Sequence, residues 1–215
     1  MDNTSKLSRK DQILQALARM LEAAPGERVT TAALAREVGV SEAALYRHFP
    51  SKARMFEGLI KFIEDTLFQR IAHILNEEDR AEIRCEKILT LLLTFCAKNP
   101  GMTRLLTGDA LTGETQRLRV RIAQFYNRLE SQLKQVLREA QIRENLKPTI
   151  SPSALANLLL ASCEGRLVQY VRSEFTVSPL DNWQAQWEFL NKNLLAPYTS
   201  TVATDSWNPV LDQDA

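Results

Sequence analysis

Glycine and proline are scarce in this chain, 7 and 8 of 215 residues. That excludes collagen-like and linker-dominated sequences and disfavours strand-and-turn folds. Histidine is scarcer still, with His48 and His73 alone. The three cysteines, Cys85, Cys96 and Cys163, form no Cys-x-x-Cys pair. A zinc site therefore lacks a ligand set, and so sparse and odd a thiol count fits a reducing compartment. The longest apolar stretch, Ile88–Ala97, is broken by Thr90 and Thr94 and is too short to span a bilayer. The polar first dozen residues lack the apolar run of a signal peptide. No phosphate-binding glycine loop and no nucleophile elbow occurs. The expectation is a soluble, cytoplasmic, non-enzymatic protein with no metal and no cofactor.

An excess of one charge is missing too. Lys+Arg number 27 and Asp+Glu 26, a formal net charge of +1. A wholly basic, histone-like protein is excluded, but a local basic site is not, because association follows local charge. The first 56 residues hold nine Lys+Arg and six Asp+Glu, an excess of +3. The last twenty, from Ala196, hold three Asp and no Lys or Arg. Their composition predicts a disordered tail over residues 196–215.

What is present is helical periodicity. Ile13, Leu14, Leu17, Met20 and Leu21 predict a first helix over Ser8–Ala24, stopped by Pro25-Gly26. Short helices follow over Thr31–Val38 and Glu42–His48, ended by Gly39 and Pro50. A long fourth helix starts after Ser51, and a fifth spans Ala81–Lys98 with apolar residues around nearly its whole circumference. Such a helix is central or lends one face to a partner. A short helix near Met102–Leu106 and three more, over Glu114–Asn145, Leu155–Arg172 and Asp181–Leu195, complete an all-α chain. No stretch alternates with period two.

Thr31–Phe49 is the informative segment. Leu34, Val38, Val40 and Leu45 anchor two helices at an angle, Ala35 lets them approach, Gly39 makes the turn and Ser41 caps the second helix. That spacing is the signature of a DNA-binding helix-turn-helix. Ser41, Glu42, Ala43, Tyr46, Arg47 and His48 occupy the remaining face of the second helix, within reach of base edges and phosphates. Arg9 and Lys10 flank it from the first helix, Thr30 and Thr31 from the start of the second, and Lys52 from the start of the fourth. The competing reading is a plain helical hairpin with Ala-rich packing.

The segments RVTTAALA (28–35), VGVSEAALYRHFPSK (38–52), RMFEGLIKFIED (54–65), KNPGMTRLLTGDAL (98–111), RLESQLKQVLRE (128–139) and CEGRLVQYVRSEF (163–175) together resemble the tetracycline-repressor (TetR) family. Within it they resemble the branch of nucleoid occlusion factors, over residues 8–195. The resemblance implies a three-helix DNA-binding domain over residues 1–50 and a helical dimerisation and partner-binding domain over 51–195. It implies a homodimer on specific palindromic sites of double-stranded DNA, located at the nucleoid. It implies that the bound dimer antagonises polymerisation of the tubulin-like division protein FtsZ, so that no septum forms over the nucleoid.

The resemblance further implies that the C-terminal tail of FtsZ enters the groove between the fourth and fifth helices. The matching positions are Phe62, Asp65 and Arg70 on the fourth helix, and Leu91, Thr94, Lys98 and Asn99 along and just past the fifth. Thr94 stands where glycine is usual and Lys98 where arginine is usual. A larger residue narrows the groove, and lysine forms no bidentate fork. In this family paired late helices form a four-helix dimer interface. That assigns the stripe Leu118, Ile122, Phe125, Leu129, Leu133 and Val136, with Leu155, Leu158, Leu159, Leu167 and Val171, to the interface, against a core-only alternative. The alternative function is a ligand-responsive TetR-type repressor, which needs an apolar cavity with a few polar groups.

Overall fold

A computed structural model describes residues 8–23, 28–111 and 116–197. The helices are α1 (Arg9–Ala23), α2 (Thr31–Val38), α3 (Glu42–His48), α4 (Lys52–Glu77), α5 (Ala81–Lys98), α6 (Pro100–Leu106), α7 (Gln116–Glu144), α8 (Pro152–Arg172) and α9 (Trp183–Asn191). The segment 198–215 of the expected tail lies outside the described residues.

Local chemistry sets most helix starts. Oγ of Thr30, Ser41, Ser51 and Ser151 each accepts the amide N–H three residues on, capping α2, α3, α4 and α8. Ser8 and Asp11 exchange hydrogen bonds in the manner of a capping box at the start of α1. Gly39 ends α2 at φ +72°, a left-handed conformation that suits glycine. Its neighbour Val40 returns its N–H to Ala35 O at 2.9 Å.

A continuous apolar cluster runs from Ile13 on α1 to Leu194 beyond α9. α5 lies at its centre, in contact with α4, α6, α7 and α8. The central reading of the fifth helix therefore holds, and Ile88, Leu89, Leu92, Leu93 and Cys96 are all buried. Each such aliphatic side chain stabilises the fold by about 1.5–3 kcal/mol relative to exposure. Burial pushes the thiols of Cys85, Cys96 and Cys163 up to about 12, so they remain neutral packing groups.

Buried arginines tie the ends of elements together. Arg84 donates from Nη2 to Leu75 O at 2.9 Å and from Nε to Glu78 O, holding the end of α4 against the start of α5. Arg166 donates from Nη1 to Pro179 O and Asp181 O, both at 2.9 Å, fixing the turn before α9. Trp183 Nε1 then donates to Thr90 Oγ1 at 2.8 Å, attaching α9 to α5.

Three expectations need correction. Leu146–Pro148 (β1) and Leu195–Pro197 (β2) form an antiparallel pair, with Lys147 opposite Ala196. Three-residue strands are too short to show alternation, so this pairing was invisible in the sequence. Ala196 and Pro197 are consequently part of the folded body, and α9 ends at Asn191 instead of Leu195.

The DNA-binding unit is joined to the body where α6 crosses α1. A Cβ on Gly101 would lie 2.0 Å from Ala18 O. Arg104, only 2% exposed, donates from Nη1 to Leu21 O at 2.6 Å and from Nε to Asp109 Oδ2 at 2.5 Å. Since backbone faces backbone at Gly101, a substitution has no side chain to displace. Gly101→Ala is expected to lower stability by about 1–3 kcal/mol, the usual range for overpacking. A urea titration checks this, and an unchanged midpoint contradicts the close crossing.

Candidate nucleic-acid interface and partner groove

α3 is short, and its one buried residue is Leu45, which holds the helix on α1 and α2. The face away from Leu45 carries the expected DNA-reading residues. Ser41, Glu42, Ala43, Tyr46 and Arg47 are exposed and His48 is half-buried. Tyr46 OH donates to Thr31 Oγ1 at 3.4 Å, and Thr31 Oγ1 donates to Glu42 Oε2 at 2.8 Å. Three of the candidates are thus linked across the angle between α2 and α3, which fixes the Tyr46 ring at the surface.

Arg9, Arg47 and His48 converge on a cleft of 390 Å³ between α1 and α3, with Ile13, Val40 and Ala44 as its apolar walls. Two cations at one cleft suit a phosphate. Lys10 is exposed one residue further along α1. Lys52, at the first position of α4, lies with Nζ 5.7 Å from the Phe56 ring centroid. The hydroxyls of Thr30 and Ser41 serve as helix caps, so their contribution to an anion site comes through the helix starts they organise.

The partner-groove candidates divide. Phe62, 46% exposed, and Asn99 line one cavity of 440 Å³ together with Asp11, Leu14, Gln15, Leu59 and Met102. Lys98 and Asn99 line a neighbouring cavity of 200 Å³ with Gln15, Ala18, Arg19, Glu22, Gly101 and Met102. Asp65, Arg70, Leu91 and Thr94 line neither. Asp65 is paired with Lys61 at 2.7 Å, Arg70 is exposed, and Leu91 and Thr94 are half-buried on α5. The α1 and α6 residues in these walls were missed by the sequence reading. The available signal was Leu14 and Ala18, apolar positions beside the stripe of Ile13, Leu17 and Leu21.

The interface stripe divides by burial within one chain. Leu118, Ile122, Phe125, Leu129, Leu133, Val136, Leu155, Leu159 and Leu167 are each at most 8% exposed within one chain, and Val171 is half-buried. The nine buried side chains hold α7 to α8 and to the rest of the core within one chain, and Val171 keeps part of its surface. Leu158, 47% exposed, is the member of the stripe presented most fully outward.

Comparison with known proteins places this geometry. Residues 13–59 match the family model described as bacterial regulatory proteins, tetR family, and residues 79–195 match the tetracyclin repressor-like C-terminal domain. The nucleoid occlusion factor SlmA of Marinomonas sp. (strain MWYL1) is 58% identical, over 90% of this chain and 98% of its own. SlmA of Shewanella pealeana is 55% identical, over 91% and 99%. The chain belongs to the SlmA family of nucleoid occlusion factors, within the TetR family. Solved structures agree on the fold. The regulator FadR of Bacillus subtilis, solved with stearoyl-CoA, superposes with a TM-score of 0.74 at 14% identity, over 86% of this chain and 98% of that one. A TetR regulator of Haloarcula marismortui gives 0.74 at 19% identity, over 87% and 98%. TetR-family members are DNA-binding regulators, and this chain carries their DNA-binding module. Among the described residues no helix is long and apolar enough to cross a membrane, and no cluster of His, Cys, Asp and Glu is placed to hold a metal.

A division of labour follows from the geometry. Lys52, at a helix start, is placed to meet phosphate, and Tyr46, on the exposed face of α3, is placed to meet bases, so the two are expected to differ in sequence dependence. Lys52→Ala is expected to weaken random and specific duplexes alike and to reduce the salt slope by about one per protomer. Tyr46→Ala is expected to weaken the specific duplex more. Gel-shift titrations at several salt concentrations check both, and equal losses on both duplexes for both variants contradict the assignment.

Proposed function

We propose that this protein is a dimeric nucleoid occlusion factor that binds specific palindromic DNA sites and, while bound, antagonises polymerisation of FtsZ. The observation that carries the reading is that identity to SlmA proteins extends through the DNA-binding unit and the body alike. The body includes Lys98–Leu111, the segment that joins the two. It acts at the nucleoid, in the cytoplasm, where both DNA and FtsZ are available.

Palindromic sites require two helix-turn-helix units roughly 34 Å apart, one turn of DNA. A two-fold dimer supplies them. The dimer face we assign is the outer side of α8. Leu158 and Val168, each 47% exposed, flank Ala161 and Gly165, which are also exposed. Their spacing of three and four residues makes one stripe, and nothing lies within 4 Å of a Cβ built on Gly165. Small residues between two aliphatic ones let a second helix approach closely, and burying the aliphatic pair supplies the driving force.

The alternative of a ligand-responsive repressor is disfavoured by the body's polar groups. The buried side chains Arg84, Thr103, Arg104 and Arg166 all hydrogen-bond to the chain itself, leaving the core's polar groups committed to structure.

Light scattering of FtsZ polymers tests the proposal. Protein with a specific duplex is expected to reduce polymer mass, and Ala161→Arg, built to keep the chain monomeric, to lose both that effect and tight operator binding. Unchanged FtsZ polymers in the presence of the wild-type complex overturn the reading.

A further inference from the structure

A further cleft, of 190 Å³, lies where the last turns of α4 meet the start of α5 and the second half of α7. Asn76 of α4 stands there about 36 Å along the helix axis from Lys52, well away from the DNA-reading face. The polar lining is Asn76, Arg84 of α5, and Gln132, Gln135, Glu139 and Arg143 of α7. Arg84 is 4% exposed. It spends three of its five N–H groups, on Glu78 O, Leu75 O and Glu139 Oε2. The contact to Glu139 is long, at 3.4 Å. The same side chain also meets Arg143 Nε at 3.3 Å and accepts from Gln135 Nε2 at 2.9 Å. One carboxylate thus serves two guanidiniums, and two Arg against one Glu leave the lining at +1. The neighbouring acidic side chains are engaged elsewhere. Glu77 meets His73 and Glu78 meets Lys87, both at 3.0 Å, and Glu144 accepts the Ala81 N–H at 2.8 Å. Asn76 and Gln132 make no side-chain hydrogen bond among the described residues.

We propose that this cleft is an oxyanion site, which takes the phosphate or carboxylate head of a small anionic ligand. Arg84 and Arg143 donate their unspent N–H groups to its oxygens, and the amides of Asn76 and Gln132 complete the ring of donors. Glu139 stays in place as the counter-charge that both guanidiniums share. Two observations carry the inference. A buried guanidinium is costly unless it is closely paired, and Arg84 has only a long, shared partner. The planar guanidinium fork also matches the paired oxygens of carboxylate and phosphate. The cleft is smaller than the roughly 300–1,000 Å³ of pockets for drug-sized molecules, so it suits a head group or a free ion. It opens on the flank of the body, apart from the enclosed cavity that a ligand-responsive repressor needs. The bound anion bridges the ends of α4, α5 and α7, and so stabilises the fold by mass action. The site stands whether or not the protein acts on FtsZ.

The test is thermal unfolding of the full-length protein without DNA, with phosphate or succinate replacing chloride at constant ionic strength over the micromolar-to-millimolar range. Arg143→Gln removes a half-exposed donor and leaves Glu139 to Arg84. Gln132→Glu sets a second carboxylate in the cleft. Arg47→Ala removes a cation from the cleft between α1 and α3, the other place where phosphate could settle. Midpoints in chloride report the folding of each variant. The wild-type midpoint is expected to rise saturably with at least one of the two anions, and the stronger response names the head group. Arg143→Gln and Gln132→Glu are each expected to need about tenfold more anion for the same rise, with Arg47→Ala close to wild type. A rise without saturation that all four proteins share, as general salting-out gives, overturns the site. A response lost in Arg47→Ala and kept in the two cleft variants overturns it too, as does no response to either anion.

Discussion

Ala18 and Gly101 meet backbone to backbone where α6 crosses α1, and Arg104 closes the contact with its bond to Leu21 O. That crossing sets where the recognition helix points. α1, with Ile13, Leu17 and Leu21 buried, packs against α2 and α3, while α6 is held by α5 and α8. A guanidinium buried to 2% exposure is costly unless its donors are satisfied, and here they meet a carbonyl and a carboxylate. Removing the arginine leaves both acceptors behind, which makes the contact specific as well as stabilising.

The crossing also sets one helix between two clefts. α1 presents Arg9 to the cleft it shares with Arg47 and His48, and presents Leu14 and Gln15 to the groove at Phe62 and Asn99. One rigid helix therefore borders both surfaces. The charge distribution fits this arrangement. An excess of +3 in the first 56 residues lies at the DNA-reading end, and the acidic residues after Ala196 offset it. The near-neutral whole conceals two ends of opposite character.

Much of the fold was legible in the sequence because its determinants are local. Thr30, Ser41 and Ser51 start helices through bonds to amides three residues away, and Gly39 ends one through its own φ. The strand pair was not legible, since Leu146 meets Pro197 across a long separation and neither strand exceeds three residues. The interface stripe meets a different limit. Periodicity shows that α7 and α8 have an apolar face, but does not say whether the covering helix belongs to the same chain. Leu118 to Leu167 are covered by their own chain, and Gly165 and Ala161, too small to register as a stripe, lie on the exposed side. The recognition face was readable because the helix-turn-helix spacing is itself a local pattern. Of the cavities at the α1–α6 crossing, the sequence pointed only to Phe62, Lys98 and Asn99, because most of the other lining residues come from α1, far away along the chain.

The central claim is that the α1–α6 contact aims the DNA-binding units. Electron–electron spin-distance measurement between the two protomers of the proposed dimer, labelled through Ala43→Cys on α3, tests it most directly. The native thiols are buried and stay neutral, so the label is confined to that site. The account predicts a narrow distance distribution in the otherwise wild-type protein. It predicts a markedly broader one in Arg104→Leu, with helix content unchanged by circular dichroism. Identical distributions in the two proteins would contradict it.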